Sequence, residues 1–186
     1  MTTMPWLPRF RAWPIKLPIQ VAVLYEGTPN TNVMAPVYAR VGEAVNFYRE
    51  LRIVLQPSVR GVALSQSDYQ ELTETGAFEP MFTHEFRLDG APMTIIYLSH
   101  EANWREGSLG RSYPHHLAAV AGNQPLAAET LIHEIGHLLL NDPPTSDDHQ
   151  SGDNFMNTVI WEFNTGNINT QQRTRMYEAA YRLGSL

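Results

Sequence analysis

Five consecutive residues, His133-Glu134-Ile135-Gly136-His137, have the types and spacing of a metal-dependent hydrolytic site. Residues four apart lie on one face of a helix, so both imidazoles can bind the same metal ion. Glu134 lies beside them, where its carboxylate can act as general base toward a metal-activated water. Zinc (Zn2+) suits this arrangement because a catalytic zinc keeps three protein ligands and an open fourth position.

The alternative interpretation is an amphipathic helix that carries two surface histidines. The surrounding sequence argues against it, because it is one of the most apolar segments of the chain: Leu131, Ile132, Ile135 and residues 138–140. Two histidines and a glutamate in a helix that becomes buried are costly unless they have partners. This cost favours the metal site.

Three downstream residues are candidates for the third ligand. His149 lies twelve residues after His137, within an acidic stretch of the chain. Asp142 is nearer, but it immediately follows the apolar segment and can simply cap or turn the chain. Glu162 is farther away, at a separation that a thermolysin-like site can use. The residue types alone leave all three open.

The elements that must position this site follow from the hydrophobic pattern. Short apolar runs rich in β-branched residues predict strands, and apolar residues at helical spacing predict helices. Predicted strands lie at residues 19–25, 52–56, 59–64 and 92–98. Residues 107–122 are predicted to hold one or two further strands, interrupted by Pro114. Pro57 is expected to separate the second strand from the third. The predicted helices lie at residues 35–51, from about Ser67, at 125–140 and at 170–183.

Composition limits the classes of protein that fit. The chain has 186 residues, and 43% of them are hydrophobic, which suits one domain with a real core. A net charge of −6 lacks the basic footprint of a nucleic-acid binder. The absence of cysteine excludes disulfides, cysteine zinc ligands and thiol catalysis. No apolar run is long enough for a membrane span.

The first twenty residues lack the apolar core of a secretory signal, since four prolines interrupt them. We therefore expect a cytoplasmic protein, one exported by a route without such a signal, or one from which a leader was removed. The sequence indicates no oligomeric state.

The motif HEIGHLL, a downstream histidine and a polar loop that ends in Asn154-Phe155-Met156 together resemble the metzincin clan of zinc endopeptidases. The resemblance implies that His133, His137 and His149 bind zinc and that Glu134 is the general base. It also implies that Met156 belongs to a tight turn beneath the metal. The segment 107–114 is similar to the glycine-containing edge strand that lines a metzincin cleft.

The resemblance implies an α+β fold with a mixed twisted sheet, a backing helix, an active-site helix and a small C-terminal subdomain that ends in a helix. The whole chain, residues 1–186, would be one catalytic domain, divided into approximately 1–140 and 141–186. A protein or peptide substrate would lie extended along residues 109–113. The usual pattern has a glycine and the third ligand where this chain has Leu140 and Pro143, so no subfamily is assigned.

The expected function is therefore that of a zinc-dependent endopeptidase. One alternative is a thermolysin-like peptidase in which Glu162 completes the zinc site. Another is a non-catalytic zinc-binding protein on a peptidase scaffold. The intact Glu134 argues against the second alternative, because this residue has no metal-binding task that would preserve it.

Overall fold

The computed structural model describes residues 13–27, 31–75, 91–98, 109–113, 116–122, 127–140, 155–156 and 168–184, without the side chains of 31–33 and 75. Within these ranges the chain forms one five-stranded sheet and four helices. The strands are β1 (Ile15–Glu26), β2 (Ile53–Leu64), β3 (Met93–Leu98), β4 (Gly110–Tyr113) and β5 (Leu117–Ala121). The helices are α1 (Thr31–Glu50), α2 (Gln66–Thr75), α3 (Ala127–Leu140) and α4 (Thr170–Gly184).

The strands are arranged in the order β2-β1-β3-β5-β4. All neighbouring pairs are parallel except β4 with β5, which are antiparallel, so the sheet is mixed. Every residue of β3 and of β5 is buried, as expected for central strands that are covered on both faces. The short strand β4 forms one edge of the described sheet and β2 forms the other.

The helices cover both faces of the sheet. The larger core joins α1, α3 and α4 to one face, where Val21 and Val23 of β1 point toward it. The smaller core lies on the other face, where Tyr69 and Leu72 of α2 pack near Leu24 of β1. The alternation of side chains along β1 thus supplies both cores. The predicted α+β class is confirmed.

The predicted elements are found near their expected positions, with one error. We expected Pro57 to interrupt the chain, but β2 is continuous through it from Ile53 to Leu64. Proline lacks the N–H that a central strand needs, and edge strands tolerate this loss because one side of them bonds to no neighbour. Pro18 is tolerated in β1 for a related reason, since β3 pairs with β1 only from Ile19 onward.

In the part of the chain that the structure describes, no helix is long and apolar enough to cross a membrane.

Candidate metal centre

Helix α3 carries the predicted site into the interior. Almost all of its residues are buried, and the side chains of His133 and Glu134 are each only 5% exposed. His137 is half-buried, one turn farther along the same face. The buried Tyr48 hydroxyl of α1 donates a hydrogen bond of 2.7 Å to the carbonyl of Ile132. The helix is therefore fixed against α1 at the residue that precedes the first histidine.

The two imidazoles converge through their Nε2 atoms. These atoms lie 3.1 Å apart, and the ring planes are nearly perpendicular, at 85°. Two nitrogen ligands, each 2.0–2.1 Å from a tetrahedral zinc ion, are about 3.3–3.4 Å apart. The spacing of the two nitrogens therefore fits a shared ion.

The chemistry of His133 also fits. Its Nδ1 lies 3.0 Å from the carbonyl oxygen of Phe155. A carbonyl oxygen can only accept, so Nδ1 carries the proton and the Nε2 of the neutral ring keeps its lone pair. Metal-binding histidines in proteins typically donate their second nitrogen in this way, which fixes the tautomer and the ring orientation.

Only part of the predicted ligand set lies among the described residues. Those residues include no group of three or more histidine, cysteine, aspartate or glutamate side chains that could hold a metal ion. The predicted third ligand, His149, lies outside the described residues, as do its competitors Asp142 and Glu162. The role of His149 stays a prediction.

The predicted methionine turn lies against α3. Phe155 and Met156 are both fully buried. A Cβ atom placed on Gly136 would lie 2.6 Å from a ring carbon of Phe155 and 2.7 Å from the sulfur of Met156. Since Gly136 stands between the two histidines, a residue without a side chain is required there for the turn to come this close to the helix.

The close approach of Phe155 and Met156 to Gly136 leads to a prediction about stability. Gly136→Ala should destabilise the protein by about 1–3 kcal/mol, because the added methyl group must displace Phe155 or Met156 in a packed core. Thermal unfolding of the variant measures the loss. Gly42→Ala in α1 is the matched control, since a Cβ there meets nothing within 4 Å. It should raise the free energy of unfolding by about 0.5–1 kcal/mol, as alanine favours the helix. Equal effects of the two substitutions would contradict the proposed packing.

Strand β4 lies beside the catalytic candidate Glu134. The Ser112 hydroxyl donates a hydrogen bond of 2.5 Å to Oε2 of Glu134, and a Cβ on Gly110 would lie 2.6 Å from Oε1. Residues two apart in a strand point to the same face. One face of this edge strand therefore lies against the carboxylate. Ser112 on that face donates a hydrogen bond, and Gly110 has no side chain, which lets the carboxylate approach the strand closely.

Burial dominates the electrostatics of this region. It raises the pKa of Glu134 to about 7, although the hydrogen bond from Ser112 opposes this shift. Burial also raises the pKa of Tyr48 well above its usual value, with a further contribution from the negative charge of Glu134. Tyr48 therefore stays protonated and remains a donor to the Ile132 carbonyl.

Several residues of the site were not identified from the sequence. Ser112 and Gly110 belong to the segment that resembles an edge strand, and strand alternation places them on one face. That alternation is a signal that could have selected them. Tyr48 is 84 residues from the carbonyl it contacts, and no pattern in the sequence joins the two. The same holds for the Phe155 carbonyl.

Comparisons with known proteins bear on the fold. The sequence matches no protein-family model, and no curated protein is significantly similar to it. Archaemetzincin from Methanopyrus kandleri is similar in structure, with a TM-score of 0.55 and 12% identity over 88% of this chain and 95% of that one. A chain from a chaperone-substrate complex has a TM-score of 0.53 and 11% identity over 92% of this chain. The match covers only 35% of that longer chain.

At sequence identities of 11–12%, these comparisons support a similarity of fold and nothing further. The similarity to archaemetzincin covers most of both chains, so it extends over the mixed sheet and the helices that this chain forms. The chain therefore has an α+β fold similar to that of archaemetzincin.

Proposed function

We propose that the protein is a zinc-dependent endopeptidase. The observation that carries this proposal is the convergence of the His133 and His137 Nε2 atoms, 3.1 Å apart, next to a buried carboxylate on the same helix. In this proposal His149 is the third ligand, and Met156 lies beneath the metal. The metzincin-like scaffold supports the same assignment.

In the proposed reaction the metal and the side chains of the protein have different roles. Zinc held by the three histidines would supply a Lewis acid that polarises the scissile carbonyl and acidifies water. Glu134 accepts the proton of the attacking water at its carboxylate and later donates it to the nitrogen of the leaving amine. The hydrogen bond from His133 to the Phe155 carbonyl holds the ring in its ligating orientation.

The substrate in this proposal is a peptide in extended conformation. The Ala121 N–H donates to the Leu109 carbonyl at 2.9 Å, so residue 109 bonds to β5. Hydrogen-bonded and non-bonded pairs alternate along an antiparallel ladder, so the main-chain groups of Ser112 point away from β5. A substrate strand can add to this edge through main-chain hydrogen bonds, beside Glu134.

Metal content tests the proposal directly. The purified protein should contain about one zinc ion per chain, or take up one when zinc is added, as measured by elemental analysis. A double variant, His133→Ala with His137→Ala, should bind none. Bound zinc should also raise the Tm, because an ion that binds only the folded state stabilises it. Failure of the wild-type protein to bind zinc at all would refute the site.

A further inference from the structure

We propose that Ser112 is a positioning residue for the general base: its hydroxyl holds Oε2 of Glu134 against β4, while Gly110 keeps the space beside Oε1 clear. The inference rests on the proposed function, since it assigns how the base of that reaction is oriented.

The contact between Ser112 and Glu134 has the geometry of a strong hydrogen bond. Its length of 2.5 Å lies in the range of a hydroxyl that donates to an ionised carboxylate. Glu134 is only 5% exposed, so few water molecules can compete for the same oxygen. In a buried setting, loss of one partner leaves the other unsatisfied, which makes the bond costly to break.

The orientation of the Glu134 carboxylate also depends on the lack of a side chain at Gly110. At Gly110 a Cβ would lie 2.6 Å from Oε1 and 2.8 Å from Cγ of Glu134, and 2.7 Å from a methyl carbon of Thr130. Any larger residue would push the carboxylate away from β4. Ser112 and Gly110 therefore act on the two oxygens of Glu134 from the same face of one strand.

Strand β4 would contact both the bound peptide and the general base. The main-chain groups of Ser112 point away from β5 toward the edge where a peptide would bind, whereas the side-chain positions of Gly110 and Ser112 face Glu134. A peptide bound along β4 would therefore be held in fixed register with the base. Catalytic groups must be held within about 0.5 Å of the productive geometry to be effective.

The first test is kinetic. Ser112→Ala should lower kcat about 10- to 100-fold with KM and zinc content unchanged, because a displaced base impairs proton transfer but not binding. Ser112→Thr keeps the hydroxyl and should restore most of kcat. Gly110→Ala should also lower kcat. Ser58→Ala, the same substitution on the opposite edge strand β2, is the control and should leave kcat unchanged.

The second test needs no activity. Ser112→Ala should lower the Tm by about 3–10 °C in the wild-type background, as expected for loss of a hydrogen bond to a charged group. In a Glu134→Ala background the same substitution should cause a much smaller fall, because the carboxylate acceptor is gone and only the 3.5 Å contact with the main-chain carbonyl of residue 134 remains. This double-mutant cycle measures the coupling between the two side chains.

The outcomes separate the inference from the proposed function. Wild-type kcat in Ser112→Ala, or equal Tm losses in both backgrounds, would overturn the role of Ser112 and leave the peptidase assignment intact. If the wild-type protein cleaves no peptide, the proposed function fails. A positive Tm coupling would then show that Ser112 and Glu134 are in contact but have no catalytic role, which also overturns the inference.

Discussion

Replacing Glu134 is expected to abolish peptide hydrolysis while zinc stays bound. A positioned general base contributes about 10²- to 10⁴-fold to the rate, so Glu134→Ala and Glu134→Gln should lose activity by at least this factor. Neither change removes a proposed ligand, so zinc content should equal that of the wild type. Peptide cleavage and elemental analysis of the same preparations measure both quantities.

Glu134→Gln is the more stringent variant. The amide has nearly the volume of the carboxylate and can still accept the hydrogen bond from Ser112, so it removes the base with little change in packing. Glu129→Gln, five residues earlier on α3, is the matched control and should retain full activity. Wild-type turnover in Glu134→Gln would show that another group is the base. Loss of zinc would instead mean that Glu134 binds the metal.

The second large effect is expected at the third ligand. His149→Ala should weaken zinc binding by more than about 100-fold, because even the loss of a residue that only orients a ligand costs 10- to 100-fold. Asp142→Ala and Glu162→Ala should leave zinc affinity unchanged, and the former should mainly disturb the end of α3. Competition with a chromophoric chelator measures all three variants under the same conditions.

The described residues bracket the segment that contains His149 and Asp142. The chain leaves α3 after Leu140 and lies against the same helix again at Phe155, whose carbonyl contacts His133. Residues 141–154, which include both His149 and Asp142, thus connect Leu140 of α3 with Phe155, which contacts His133. Glu162 lies beyond this connection, so the variants at His149 and Asp142 are the decisive comparison within it. Loss of zinc in Glu162→Ala with retention in His149→Ala would favour the thermolysin-like alternative and contradict the metzincin-like assignment of the ligand.

The non-catalytic alternative makes a different set of predictions. A protein that uses zinc for stability alone would bind the ion and lose Tm on chelation, yet no variant at Glu134 would change any hydrolytic activity. The Glu134 experiment therefore separates this alternative from the enzyme, whereas zinc content alone does not.

Local patterns in the sequence determined the elements of the fold and the centre of the site. The spacing of four between His133 and His137 places them on one helical face wherever that helix packs. The apolar run of α3 indicated that this helix becomes buried, and the structure has it buried. These features depend on neighbours within a few residues, so their physical basis is already present in the linear sequence.

The surroundings of these elements depend on how the whole chain packs. Pro57 is tolerated because β2 is an edge strand, and strand order is a property of the whole sheet. The contacts of Ser112 with Glu134, of Tyr48 with Ile132 and of Phe155 with His133 join residues that are 22, 84 and 22 positions apart. The sequence could name the proposed base and two proposed ligands, because helical periodicity is local. It could not orient them, because hydrogen bonds between distant segments depend on how the whole core packs.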